Sequence, residues 1–135
     1  MATLRLEKRG CDFSPNDERV RGSDIGNHRV CTGDFSIPAK NGRTYHIEFG
    51  WADKWQTRYT NKRTGKPLAH PVRELVAPCV AHLTACFRDE DGCCWGDSSL
   101  WHLAWDDPKP YTERGILDIV NAFAAVPYDR IEYVS

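Results

Sequence analysis

The sequence predicts an α+β fold: an antiparallel β-sheet of about five to seven strands, with one C-terminal amphipathic helix packed on one face. Polar and apolar residues alternate with a period of two over 44–49, which places one set on each face of a strand. Asn41-Gly42 is typical of a tight hairpin turn, because it supplies the positive φ angles that such a turn needs. Over 112–125, apolar residues instead recur at helical spacing.

The N-terminal third of the chain contains two predicted strands. The first covers 3–7, and residues 10–27 after it are polar and rich in Asp, Asn, Gly and Ser, which predicts a long loop. The second strand covers 28–37. The Asn-Gly turn after it makes 30–37 the antiparallel neighbour of 44–51.

An aromatic and basic hairpin is predicted over 42–71. Gly and Asp residues at 50–53 favour a turn after its first strand. The segment 55–60 is rich in the aromatic and β-branched residues that suit a pleated sheet. Asn, Gly and Pro within 61–67 predict a second turn.

The segment 71–88 fits two patterns, because its apolar residues match helical spacing while 79–88 also alternates as a strand does. Pro78 argues against one continuous helix. We expect a short helical turn over 72–76 and then a strand over 79–88, with a helix over 79–88 as the alternative. An acidic tight turn follows at 89–92, and strands return over 93–95 and 100–105.

The strongest helix signal covers 112–125. Thr112 is a natural N-cap, Glu113 suits the first turn, and Pro127 stops the helix. One apolar stripe along it is expected to face the core: Ile116, Ile119, Val120 and Phe123. A final strand is expected over 129–134.

Length and composition indicate a single α+β domain over residues 1–135. No apolar run approaches the roughly 18 residues of a membrane span, and the N-terminal residues lack the apolar core of a signal peptide, so a cytoplasmic protein is expected. The two halves differ in charge. Residues 1–75 carry 14 Lys and Arg against 9 Asp and Glu, a net +5, whereas residues 76–135 carry 4 against 10, a net −6. If folding keeps the halves apart, the molecule has a basic and an acidic face.

A binding surface is predicted where cations and flat rings alternate along the hairpin. No acidic residue lies between Asp53 and Glu74. Cations beside aromatic rings can hold nucleic-acid backbones and stacked bases, although a solvated hairpin carries the same pattern. The predicted binding residues are Lys54, Trp55, Arg58, Tyr59, Lys62, Arg63, Lys66 and Arg73. Of the five tryptophans, Trp55 is expected to be exposed, and Trp101 and Trp105 are expected to lie together on one strand face.

The six cysteines are expected to be reduced thiols, and no cofactor is expected. A zinc site is a weaker hypothesis, because paired Cys-x-x-Cys spacing is absent. Its candidate ligands are Cys79, His82, Cys86 and Cys93, with Cys94 and His102 nearby. Cys86 or Cys93 beside a histidine is the alternative, a nucleophilic site.

These features predict a small non-catalytic cytosolic binding or regulatory protein that acts by occupying the surface of a protein or of a protein–nucleic-acid complex. Phage and mobile-element proteins that inhibit host defence are one such class. The first alternative is direct binding of nucleic acid through the basic aromatic hairpin. The second is a small enzyme that depends on Cys and His or on zinc. No phosphate loop, dinucleotide fingerprint or His-Glu-x-x-His pair is present.

Overall fold

The computed structural model describes residues 2–10 and 28–134 of the chain. Its elements, in chain order, are β1 Ala2–Gly10, β2 His28–Cys31, β3 Ile37–Pro38, β4 Thr44–Thr60, β5 Pro67–Arg88, β6 Cys94–Gly96, α1 Ser98–Asp106, α2 Glu113–Phe123 and β7 Tyr128–Val134. Over these described residues the fold is therefore mixed α+β, with seven strands and two helices. The predicted loop over 10–27 lies outside the described residues, apart from Gly10, which ends β1.

The sheet has the strand order β6-β5-β4-β2-β1-β7, and β3 pairs with β4 outside this path. The neighbours are antiparallel except for β1 and β7, which run parallel with Leu4 opposite Ile131. The prediction of a wholly antiparallel sheet is wrong at this edge. The chain reaches β7 through two helices rather than a hairpin, and such a crossover can return a strand in either direction.

The predicted strand over 28–37 consists of two short strands, β2 and β3, separated by a turn. Both are antiparallel neighbours of β4, with Ile37 opposite Tyr45 in β3. In the Asn-Gly turn, the Gly42 N–H donates to the Ala39 carbonyl at 3.1 Å, and Gly42 has a φ of +86°. The glycine is therefore needed there for its conformation.

The core lies where the inward side chains of the central strands meet both helices. Leu6 in β1, Phe49 in β4 and Leu83 in β5 have no exposed surface. Each such side chain stabilises the fold by roughly 1.5–3 kcal/mol through burial. The helices contribute Leu100, Ala104, Ile116, Leu117, Ile119, Val120 and Phe123 to the same cluster.

Helix α1 replaces the strand predicted over 100–105, so that prediction is wrong. Asp97 caps the helix, and its carboxylate accepts a hydrogen bond from the Ser99 N–H at 3.0 Å. Leu100 and Ala104, four residues apart, face the core. The alternation of apolar residues over 101–105 is therefore incidental, and the four-residue spacing decides the structure.

The same helix lies along the outer edge of β5. At one end the Asp97 N–H donates to the Ala85 carbonyl at 3.0 Å, and at the other the Ala81 N–H donates to the Lys109 carbonyl at 2.7 Å. Between these bonds, α1 packs against β5. The edge of β5 is thus covered where it borders the core.

Helix α2 spans Glu113–Phe123, within the predicted 112–125. Thr112 is its N-cap, with its hydroxyl accepting from the Gly115 N–H at 3.1 Å. A Cβ atom at Gly115 would lie 1.9 Å from the Pro110 carbonyl oxygen, so only glycine fits there. The prediction of a single helix is wrong, because α1 is a second helix, whereas the strand expected over 129–134 is present as β7.

The hairpin formed by β4 and β5 is longer than predicted. The turn expected at 50–53 and the helical turn expected over 72–76 are both absent, because β4 runs unbroken for 17 residues and β5 for 22. The predicted turn after Thr60 is present. The Asn61 side chain accepts from the Arg63 N–H at 2.9 Å, and Gly65 has a φ of +70°.

No helix within residues 2–10 and 28–134 is both long and apolar enough to cross a lipid bilayer.

Candidate binding surface on the β4–β5 arm

The distal half of the β4–β5 hairpin extends beyond the rest of the sheet, and we call residues 54–77 the arm. β2 and β3 pair with β4 only at 48–49 and 44–45, and β6 pairs with β5 only at 86–88. Within the described chain, the two strands of the arm therefore pair only with each other. Over this length the side chains of both strands are exposed or only partly buried.

A bulge marks the base of the arm. The Cys79 N–H donates to the Asp53 carboxylate at 2.8 Å, and the register shifts between Ala52 and Lys54. Cys79 has a φ of +48°, which is uncommon for a residue with a side chain. Bulges of this kind bend the strand and increase its twist, so they change the direction of the arm relative to the sheet.

Aromatic side chains of α1 support the base of the arm. Trp101 and Trp105 are stacked with their ring centroids 5.5 Å apart. Lys54 donates to the Trp105 carbonyl at 2.6 Å and lies 5.7 Å from its ring centroid. The two tryptophans were expected together, and they are, although helical spacing rather than a strand face brings them there.

Four of the predicted cations surround the outer part of the arm. Arg58 donates to the Glu74 carboxylate at 2.8 Å, and Lys62 contacts the other oxygen of that carboxylate at 3.3 Å. The hydrogen bond from Arg58 is the largest cause that lowers the pKa of Glu74 below its ordinary value. Arg63 and Lys66 are exposed in the turn. With Lys54 and Arg73, these cations outnumber Glu74 six to one, so the arm has a net charge of +5.

Trp55 is half-buried, so the prediction that it is the exposed tryptophan is wrong. The Arg73 guanidinium carbon lies 4.5 Å from the centroid of its ring. Its indole nitrogen is buried and has no acceptor among the described residues. The register between the strands explains this position of Arg73. Arg73 lies opposite Thr57, which makes it the diagonal neighbour of Trp55 on the same face. The exposed tryptophan is Trp95, at 55%.

Exposed apolar side chains on the arm were not among the predicted binding residues, apart from Tyr59, which is 65% exposed. Val72, Leu75 and Val76 are 40%, 46% and 50% exposed. The spacing of these three residues in the sequence favoured a short helical turn over 72–76, with its apolar side toward the core. Only the pairing of β5 with β4 reveals that they lie outside the core.

A groove of about 290 Å³ lies on the inner side of the arm. Its walls are Asp53, Trp55, Thr57, Arg73 and Trp105. The protein's own cations lie over both tryptophan rings, Arg73 over Trp55 and Lys54 over Trp105. These rings are therefore poor platforms for stacking a base.

The edges of the arm differ in proline content. β5 contains Pro67, Pro71 and Pro78, whereas β4 contains none. Proline cannot donate to a β-ladder and is found in sheets at edges and bulges. The β5 edge is thereby protected against pairing with a further strand, whereas the β4 edge of the arm contains no proline.

The candidate zinc ligands do not form one cluster. Cys79 lies at the bulge, where burial raises the pKa of its thiol. His82 accepts a hydrogen bond from the Trp101 indole at 2.9 Å, Cys86 is a free thiol on β5, and Cys93 is exposed. Across residues 2–10 and 28–134, no three His, Cys, Asp or Glu side chains are grouped as a metal ion requires.

No family model, curated protein or solved structure matches this chain.

Proposed function

We propose that this is a non-catalytic binding protein that inserts its arm into a cleft of a protein, or of a protein–nucleic-acid complex. The observation that carries the proposal is that the arm exposes large apolar side chains on both of its faces. Trp55 lies opposite Leu75, and Arg58 opposite Val72. Because the register is unbroken from Leu75 to Val72, these two side chains point to opposite faces.

Apolar groups on both faces favour insertion over flat docking. A sheet that docks through one face needs apolar side chains on that face only. A two-stranded hairpin also has little stability of its own in water. A partner that covers both faces would bury Val72 and Leu75 together and stabilise the pairing between the strands.

The charges of the arm support an acidic partner. Interfaces typically have an apolar centre and a polar rim. Here the turn cations Arg63 and Lys66 would form such a rim at the tip. A net charge of +5 would accelerate encounter with an acidic surface and reject basic ones. The proposed class remains the cytosolic inhibitor, including phage or mobile-element proteins that block host defence by occupying a surface.

The test is capture from a nuclease-treated lysate with the tagged protein and two matched variants. Val72→Ser/Leu75→Ser removes apolar surface from the arm. Val126→Ser removes a side chain that is 46% exposed but lies in the loop before β7. We expect the wild type and Val126→Ser to retain the same partner and the double variant to lose it, with unchanged circular dichroism spectra. Equal capture by all three proteins would refute insertion through the arm.

Direct nucleic-acid binding is the second candidate, and the six cations of the arm with the exposed Tyr59 favour it. Fluorescence anisotropy with single- and double-stranded oligonucleotides tests it. If six phosphates are contacted, the affinity should fall on the order of 10³-fold between about 50 and 200 mM salt. Arg63→Glu/Lys66→Glu should also weaken it. An affinity that does not depend on salt would exclude this candidate.

A further inference from the structure

Cys86 and Cys94 lie at the opposite end of β5 from the arm, where β6 pairs with it. The register places Cys86 opposite Gly96 and Arg88 opposite Cys94. The Asp97 N–H donates to the Ala85 carbonyl at 3.0 Å. Residues 85 and 97 are therefore a hydrogen-bonded pair. Along the ladder such pairs alternate with non-hydrogen-bonded pairs, and 86 with 96 and 88 with 94 are of the second kind. Directly opposite side chains approach most closely in non-hydrogen-bonded pairs.

Within this pairing the two cysteines are diagonal neighbours on the same face. Residues 86 and 88 share a face of β5, and residues 94 and 96 share the same face of β6. The Cys94 side chain is one of the causes that raise the pKa of the Cys86 thiol, after burial. Cys93, which directly precedes β6, is also an exposed thiol.

We propose that Cys86 and Cys94 are an oxidative modification site that forms a disulfide when the protein meets a peroxide. The register and the shared face make the two side chains diagonal neighbours across the paired strands. The bond would span the acidic turn at 89–92, which is itself held by Asp89 accepting from the Gly92 N–H at 3.0 Å. This site is separate from the arm and does not depend on the function proposed for it.

The two thiols have different roles in the reaction. Cys94 is exposed, so its thiolate attacks one oxygen of hydrogen peroxide, which gives a sulfenic acid and, with the thiol proton, one water. Cys86 is half-buried, and burial is the largest cause that raises the pKa of its thiol. It then attacks the sulfenic sulfur, the S–S bond forms, and its proton leaves with the hydroxide as a second water. Each sulfur is oxidised by one electron, and both oxygens of the peroxide are reduced.

The neighbouring thiols provide a matched control. Cys93→Ser removes an exposed thiol one residue from Cys94, whereas Cys94→Ser removes the proposed nucleophile itself. The full-length proteins are treated with increasing hydrogen peroxide, unfolded and labelled with N-ethylmaleimide, and weighed intact. Trypsin cleaves after Arg88, which separates Cys86 from Cys94 in the chain, so a bond between them joins two peptides.

We expect the wild type to lose two of its six labels at the lowest effective peroxide concentration, with the two peptides joined until a reductant is added. Cys93→Ser should lose two labels in the same way, and Cys94→Ser should form no joined peptide. The proposal is wrong if Cys93→Ser rather than Cys94→Ser abolishes the joined peptide. It is equally wrong if the wild-type thiols oxidise singly, without a bond between the two peptides.

Discussion

The Arg73 guanidinium covers the face of the Trp55 ring, with its central carbon 4.5 Å from the ring centroid. This contact joins the two strands of the arm at its base. A cation over an indole stabilises a partly exposed site by about 0.5–1 kcal/mol. It also removes one face of Trp55 from any interaction with a ligand.

Arg73→Ala should expose that face. In a ¹⁵N–¹H spectrum the five tryptophans give five indole signals, and the Trp55 signal is the one lost in Trp55→Phe. We expect Arg73→Ala to shift this signal more than the other four. Arg63→Ala, in the turn, is the control and should leave it in place. A uniform response of all five signals to Arg73→Ala would contradict the contact.

Two leucines of β5 should respond very differently to truncation. Leu83 has no exposed surface, whereas Leu75 on the arm is 46% exposed. Leu83→Ala should lower the free energy of unfolding by about 2–5 kcal/mol, because it leaves a cavity in the core. Leu75→Ala should change it by no more than about 0.5 kcal/mol. Urea denaturation measures both, and equal losses would show that the arm is packed rather than exposed.

Asp97 should make stability depend on acid pH. Its carboxylate accepts hydrogen bonds from Ser99 and from the Tyr45 hydroxyl, and it pairs with Arg43 at 3.3 Å. The Ser99 hydrogen bond is the largest cause that holds the pKa of this carboxyl below its ordinary value. The unfolded chain therefore binds the proton first as the pH falls. The stabilisation is complete above the unfolded pKa of about 3.9 and is lost as the pH falls through the folded pKa.

The wild type should consequently lose more free energy of unfolding than Asp97→Asn between about pH 6 and pH 3. Asparagine is a good N-cap, so this variant keeps the start of α1. Urea denaturation at a series of pH values gives the comparison. Parallel pH profiles for the two proteins would show that Asp97 contributes no such linkage.

Glu74 partly neutralises the arm, because it contacts both Arg58 and Lys62. Glu74→Gln should raise the salt concentration that elutes the protein from immobilised heparin, a polyanion. Stability should change little, because exposed ion pairs contribute about 0–1 kcal/mol. Glu132→Gln is the control with the same change of net charge, because Glu132 on β7 forms an exposed pair with Arg5 on β1. An equal shift for both variants would mean that total charge, and not the arm, determines retention.

Local signals predicted the parts of the fold that depend on neighbouring residues. The alternation over 44–49, the turns at Gly42 and Gly65, and the N-cap at Thr112 are all such signals. The alternation of apolar residues gave a wrong prediction for α1. The four-residue spacing of Trp101 and Trp105 fits one face of a strand and also one face of a helix, where the two residues are about one turn apart. The N-cap Asp97 was the sequence signal that could have decided between them.

Pairing between distant segments could not be predicted. The parallel contact of β1 with β7 and the unbroken course of β5 through Pro71 and Pro78 depend on register. The same limit applies to the candidate site. That its cations share one hairpin follows from their closeness in sequence, but Arg73 over Trp55 and the exposed Val72 follow only from which residues lie opposite one another.

The continuity of β4 and β5 has a consequence for association kinetics. The two strands pass from the tip of the arm into the core without a flexible connection, although a bulge bends them at Cys79. Folding of the core therefore also fixes the direction of the arm. A preorganised surface loses less conformational entropy on association than a loop that must first be ordered. Differences in affinity among arm variants should then appear mainly in how long the complex lasts rather than in how fast it forms.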